Sequence, residues 1–189
     1  MILPIVGYGH KALREKNLQV EPEHPALDSL IDNMFETMYN AQGVGLAAPQ
    51  VGLSLRLFVV DGSPMADEED EEDMKNFKMV FINPEMLKEA GDPWPFEEGC
   101  LSIPDIREKV TRKESIWIRY QTPEFETVEA TFSGMKARII QHEYDHLEGV
   151  LFVDHISAMR RRILKPRLVK LAKEGAQSGY PMKFPRQKR

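Results

Sequence analysis

Ser133-Gly134-Met135-Lys136-Ala137-Arg138-Ile139-Ile140-Gln141-His142-Glu143-Tyr144-Asp145-His146-Leu147-Glu148-Gly149 is the stretch on which the reading of this chain turns. Ser133 is a helix-capping residue type and Gly149 a stopping one, so the pattern predicts a helix over Gly134–Glu148. Inside it lies His142-Glu143-Tyr144-Asp145-His146, an HExxH. Residues four apart share a helical face, so the two imidazoles can grip one metal ion. Glu143 then sits beside any water that such an ion holds.

Two helical histidines need at least one more protein ligand. Downstream, the extended zinc-protease pattern asks for a glycine three residues after the second His and a third His three later. Gly149 meets the first condition, but the next slot is Phe152, which cannot bind a metal. His155 is misplaced for that pattern, and Glu148 and Asp154 have no recognised spacing. Upstream, Glu98-Gly99-Cys100-Leu101-Ser102 holds the chain's single thiol. A lone cysteine is ordinarily a small packed side chain. Beside an HExxH that lacks a third donor, Cys100 reads as a ligand, and metal binding would deprotonate it.

Outward from this centre the pattern is α+β. Leu27, Leu30, Ile31, Met34, Phe35 and Met38 recur at helical spacing between Pro25 and Gln42, with Gly43 as a stop. Leu55–Asp61 and Met79–Asn83 read as strands on either side of an acidic run, Asp67–Asp73. Seven consecutive acids repel one another, so that run is expected as a solvated loop. Val110–Tyr120 and Phe125–Phe132 alternate like antiparallel strands. A last helix should begin near Ser157, and Pro166 should break or kink it by removing a donor and clashing with the preceding turn. Ser178-Gly179-Tyr180-Pro181 and Pro185 predict a disordered end after Gly175. The expected architecture is antiparallel strands packed around the helix carrying the HExxH, with a C-terminal helix.

The chain has 189 residues, 42% hydrophobic and 29% charged, which fits one domain with a hydrophobic core. No stretch reaches the roughly 18 apolar residues of a membrane span, and the N-terminus carries no secretory pattern. One cysteine excludes an internal disulfide and is consistent with the cytoplasm. The net charge of -5 hides a polarity: residues 160–189 hold eleven Lys and Arg against Glu174 alone. That segment carries +10 and the remainder -15. A basic tail on an acidic body points to a polyanionic partner such as RNA, or else to a solubilising terminus. The expected division is a catalytic domain over 1–165 and a basic tail over 166–189.

A third segment, Gly43-Val44-Gly45-Leu46-Ala47-Ala48-Pro49-Gln50, lets backbone approach a ligand closely and ends on an amide that can donate to an oxyanion. It is no phosphate loop, because no Gly-Lys-Ser/Thr follows. Taken in order, Gly43-x-Gly45-x-Ala47-Ala48-x-Gln50, Glu98-Gly99-Cys100-x-Ser102 and Gln141-His142-Glu143-x-x-His146 resemble the three signature motifs of peptide deformylases. The similarity runs from about Ile2 to Ser157. Departures are the acidic run, the Pro93-Trp94-Pro95-Phe96 stretch and the tail after Glu174.

The resemblance implies hydrolysis of the N-formyl group from the first methionine of new polypeptides, releasing formate. It implies that Cys100, His142 and His146 bind the metal and that Glu143 is the general base and acid. It further implies that Gln50 and the Leu101 N–H hold the oxyanion. Val44, Gly45 and Gly99 would line the peptide, with Arg107 near the groove. Ligand type alone reads as zinc; the resemblance implies Fe(2+), with Zn, Ni or Co as substitutes. Two rivals stand beside this reading. A zinc endopeptidase would need a ligand other than Cys100. A ribosome-associated factor with a structural metal would need a closed four-ligand site. The basic segment and the need to meet nascent chains early make the ribosome an expected partner.

Overall fold

A computed structural model describes residues 1–66 and 72–185. In chain order the elements are β1 (Ile5–Val6), α1 (Leu27–Asn40), β2 (Gly45–Ala47), β3 (Leu57–Asp61), α2 (Glu72–Lys75) and β4 (Lys78–Cys100). There follow β5 (Ile103–Gln121), β6 (Thr127–Ser133), α3 (Gly134–Leu147), α4 (Phe152–His155), α5 (Ala158–Glu174) and β7 (Met182–Lys183). Strands β2-β3-β4-β5-β6 form one sheet in that order, every neighbour antiparallel. β1 and β7 form a separate parallel pair. Among the described residues no helix is long and apolar enough to cross a membrane.

The apolar periodicity of α1 does what its spacing demands. Leu27, Ile31, Met34, Phe35 and Met38 are buried and pack on Leu46, Leu57, Val59 and Ile82 of the sheet. α3 lies on the other part of the sheet, where Ala137, Ile139, Ile140 and Leu147 meet Phe58, Val60, Phe81, Ile116 and Ile118. The expected α+β arrangement around the HExxH helix is therefore the observed one. Ser133 occupies the N-cap position of α3 without a capping hydrogen bond from its side chain. Gly149 follows the helix in the left-handed conformation (φ +69°), which favours glycine.

β4 and β5 are longer than the sequence pattern predicts, whereas β3 and β6 are slightly shorter than the predicted 55–61 and 125–132. β4 extends to Cys100 and β5 begins at Ile103, so the two form a long hairpin that delivers Cys100 at its tip. Prolines at 93 and 95 argue against a central strand. They are tolerated because β3 pairs with only Lys78–Ile82, so the later part of β4 has its ladder with β5 alone. A register shift between Ala90 and Pro93 absorbs the remaining irregularity. Short β2, read from sequence as loop, escaped notice because three residues carry no periodicity.

Two expectations for the C-terminal part are corrected. Of the two effects expected of Pro166, the break does not occur: α5 is continuous from Ala158 to Glu174. Leu164, Leu168 and Leu171 on either side of the proline are buried against Ile103, Ile106 and Val110, and that burial outweighs one lost backbone hydrogen bond. Nor is the chain after Gly175 without structure: β7 pairs with β1, and the Ile5 N–H donates to the Pro181 carbonyl at 2.9 Å. Tertiary pairing supplies what local sequence does not. Of the acidic run expected as a solvated loop, 67–71 lie outside the described residues, as do the basic positions among 186–189, and 72–73 are not loop but the start of α2.

Candidate metal centre

Three elements meet at one point. α3 brings His142, Glu143 and His146, and the β4–β5 hairpin brings Cys100 and, in its turn, Leu101 and Ser102. The 3-10 turn after β2, Ala48–Val51, brings Gln50. One donor atom each from Cys100, His142 and His146 lies within 4.8 Å of the others. Cys100 Sγ is 3.3 Å from His146 Nε2. The protease-like alternatives for a third ligand are engaged elsewhere: Glu148 pairs with Arg56, and Asp154 pairs with Arg14. Phe152 is buried in the core beneath α5. His155 faces Asp145 at 2.7 Å.

The charges around the three donors are organised by Glu98, which the sequence reading quoted but gave no role. Its carboxylate is buried and accepts from Arg112 Nε (2.7 Å), Arg112 Nη2 (3.0 Å) and Arg138 Nη1 (2.7 Å). Its other contact is His142 Nδ1 at 3.0 Å. Burial alone would raise its pKa, but His142 and Arg112 outweigh burial and hold it well below the usual carboxylate range. An ionised Glu98 takes the Nδ1 proton of His142 in a hydrogen bond and leaves Nε2 for the centre, as partners of metal-binding histidines do. Arg112 also donates to Asp145 Oδ2 at 2.8 Å. Two carboxylates thus balance two guanidiniums in the interior, the condition under which buried charge is tolerated. Arg138 is held further by the Trp94 carbonyl (2.6 Å) and lies 4.0 Å over the Trp94 ring.

The donor set fits a divalent ion. Burial would raise the Cys100 thiol, yet the imidazoles of His146 and His142 bring it down to about 5, so the thiolate form that metals bind is favoured. Burial pushes Glu143 up to about 7, against the opposing pull of both imidazoles. Glu143 Oε2 is buried with no hydrogen-bond partner among the described residues, an arrangement that asks for a water or a substrate atom. A carboxyl group poised near neutrality can both accept and return a proton.

Gln50 is fixed in one orientation. Its Oε1 accepts from the Ala47 N–H at 2.8 Å, which turns the NH₂ group toward Cys100 Sγ (3.5 Å) and Ser102 Oγ (3.4 Å). Gly45 makes room for Glu143, since a Cβ there would lie 2.3 Å from its Oε1. A groove of about 470 Å³ opens onto the cluster, lined by Val44, Gly45, Gly99 and Arg107 together with Gln50, Leu101, His142 and Glu143. The exposed Arg107 leans on Glu97, its Nε 3.7 Å from Oε1. Phe96, Met135 and Ile139 also line this groove; no local pattern marked them, because an apolar wall residue looks like any core residue in sequence.

Comparison with known proteins shows the family. A family model described as polypeptide deformylase matches residues 2–162. A peptide deformylase of Flavobacterium johnsoniae is 50% identical over 189 residues, covering 97% of this chain and 96% of the relative. Among solved structures, a peptide deformylase from Legionella pneumophila is 37% identical with a TM-score of 0.78, covering 94% of this chain and 99% of its own. A Met-ala-ser-bound class I type b peptide deformylase from Acinetobacter baumannii is 38% identical with a TM-score of 0.73, covering 82% of this chain and 99% of its own.

Proposed function

The chain belongs to the polypeptide deformylase family, and from that premise we infer how its own residues carry out the family's reaction. The activity is hydrolysis of the N-formyl group from the N-terminal methionine of newly synthesised polypeptides, with release of formate. The observation that carries the assignment of residues is the convergence of Cys100, His142 and His146 beside a buried Glu143 with an unpartnered oxygen.

Cys100, His142 and His146 would hold the metal. When bound, a divalent cation supplies Lewis acidity, lowering the pKa of water and drawing charge from a carbonyl oxygen. Glu143 removes a proton from the attacking water at its unpartnered carboxylate oxygen. As the formyl carbonyl gathers negative charge, Gln50 Nε2 and the Leu101 N–H donate to it; one such donor is typically worth about 3 kcal/mol. Glu143 then returns the proton to the leaving amine. Val44, Gly45, Gly99 and Arg107 line the groove that receives the methionyl peptide. For the metal itself we assign Fe(2+), with Zn, Ni or Co as substitutes; the family resemblance supports this over the zinc that ligand type alone would suggest. Protein purified without air should contain iron and lose activity on exposure to peroxide, whereas fully active protein carrying zinc alone would refute the assignment.

All these residues lie within 1–165, which we treat as the catalytic part, with 166–189 as a basic segment. The division is one of charge and not of fold, since α5 runs through it. The basic outer face of α5 is our candidate for contact with ribosomal RNA, and the cytoplasm, where ribosomes present formylated chains, is the compartment. Purified protein should release formate from formyl-Met-Ala-Ser. Failure to do so with stoichiometric metal would refute the reading of the site.

A further inference from the structure

The turn that joins β4 to β5 consists of Leu101 and Ser102 alone, because Cys100 already pairs with Ile103. This turn carries one metal donor at its entrance and, on the reading above, an oxyanion donor in its middle. Both of its carbonyls are held from outside the hairpin. The Tyr8 N–H donates to the Ser102 carbonyl at 2.8 Å, and the Tyr180 hydroxyl donates to the Leu101 carbonyl at 2.8 Å across 79 residues of chain.

The two donors belong to segments that hold each other. Ile5 pairs with Met182 and Val6 with Lys183, and the Gly7 N–H donates to the Lys183 carbonyl at 2.9 Å. Phe184 packs so closely on Gly7 that a Cβ there would lie 2.1 Å from its ring. Ser178 Oγ donates to the Tyr180 carbonyl at 2.6 Å and shapes the approach. The Leu101 side chain packs against Gly43, where a Cβ would lie 2.7 Å from its Cδ1. The Leu101 N–H lies in the Cys100–Leu101 peptide unit, which β4 anchors, and the Leu101 carbonyl lies in the next unit; holding that carbonyl restricts the rotations about Leu101 that would let the turn, and with it the N–H, swing.

We propose that Tyr180 is a positioning residue of the active centre: its hydroxyl holds the Leu101 carbonyl and thereby aims the Leu101 N–H at the oxyanion. This makes the extreme C-terminal segment, which reads as disordered from sequence, a functional part of the site. The proposal rests on the deformylase reading of the centre. Pre-organised donors contribute only when they are already pointed where charge develops, so loosening one should lower turnover while leaving ground-state binding alone.

Tyr180→Phe removes the hydroxyl and keeps the ring. The intact, metal-loaded protein and this variant would be compared for kcat and KM on formyl-Met-Ala-Ser, inhibition by the product Met-Ala-Ser, metal content and thermal midpoint. The expected result is a fall in kcat of about tenfold, with KM and Met-Ala-Ser inhibition within about twofold of the parent. Metal content should stay at the parent value, and the thermal midpoint should fall by no more than the roughly 6 °C that one lost hydrogen bond can cost. A kcat within about twofold of the parent overturns the proposal. So does a kcat loss matched by lost metal, a thermal midpoint lowered by more than about 6 °C or weakened Met-Ala-Ser binding, since each marks a purely structural tie. A metal-loaded parent that releases no formate would instead refute the reaction assigned to the site, and the proposal with it.

Discussion

Helices α3 and α5 have similar lengths, 14 and 17 residues, and both pack against the β4–β5 hairpin, yet they bury opposite chemistry. α3 buries Arg138, Gln141, Glu143 and His146 along with its apolar face. α5 buries only Leu164, Leu168 and Leu171 and turns its arginines and lysines outward. A buried charge is costly unless it is paired, so α3 needs partners from elsewhere in the fold: Glu98 and the Trp94 carbonyl from β4, Arg112 from β5. α5 needs less of this: Arg160 pairs with Glu108, and Arg161 and Arg167 donate to the Asp154 and Asp105 carbonyls, but these arginines remain exposed and solvent screens their charge. Chemistry is concentrated where folding is most penalised, and α5 keeps its charge at the surface.

The sharpest break in that comparison is Cys100→Ala. It removes the donor that turns a pair of helical histidines into a three-ligand site, so metal and formate release should disappear together. Retention of stoichiometric metal, measured by elemental analysis, would show that Cys100 is not a ligand.

Glu143→Gln tests the helix from inside. General acid–base catalysis commonly contributes about 100- to 10,000-fold, and turnover should fall by that range while metal content holds. Near-normal turnover in the metal-loaded variant would dismiss the proton-transfer role.

Arg138→Leu leaves Glu98 with one guanidinium fewer in the interior. Breaking a buried pair on one side typically costs about 3–5 kcal/mol, which denaturant unfolding would read directly. A cost below about 1 kcal/mol would place Arg138 among ordinary surface-like pairs.

The same network sets an acid limit. Glu98 has a depressed folded pKa, so its contribution to stability is fully present above its ordinary value of 4.5 and is lost as pH falls through the lower folded value. Glu98→Gln should flatten the acid side of the stability profile below pH 4.5. An unchanged acid limb would show that other carboxylates govern it.

α5 should respond least by every measure made on short substrates. Arg162→Glu, Lys165→Glu and Lys170→Glu together reverse three exposed charges. Activity on formyl-Met-Ala-Ser should stay at the parent level, while ribosome binding weakens and loses much of its salt dependence, because phosphate contacts release counterions. Salt-independent binding of equal strength in the variant and parent would remove RNA docking from the account. Truncation is a poorer probe than charge reversal here, because Leu168, Leu171 and Tyr180 are packed into the body.

How much of this was legible in the linear chain follows the range of the forces involved. The HExxH helix, the apolar stripe of α1 and the alternation of Ile116, Ile118 and Tyr120 in β5 could be read directly, since each is a periodic signal within one element. The three motifs and their order were enough to gather Cys100, His142, His146, Glu143 and Gln50 around one reaction. What the chain could not reveal by itself is who holds those residues in place. Glu98, Arg112 and Arg138 come from three elements, and their worth lies in mutual neutralisation at distances near 3 Å that only the closed fold creates. Pro166 and Ser178-Gly179-Tyr180-Pro181 carry local signals for breakage and disorder, and the tertiary structure overrides both. Leucine burial carries α5 across its proline, and pairing of β7 with β1 brings Tyr180 to Leu101. Local propensities amount to fractions of a kcal/mol per residue for most side chains, and contacts between distant segments exceed them once the chain has closed on itself.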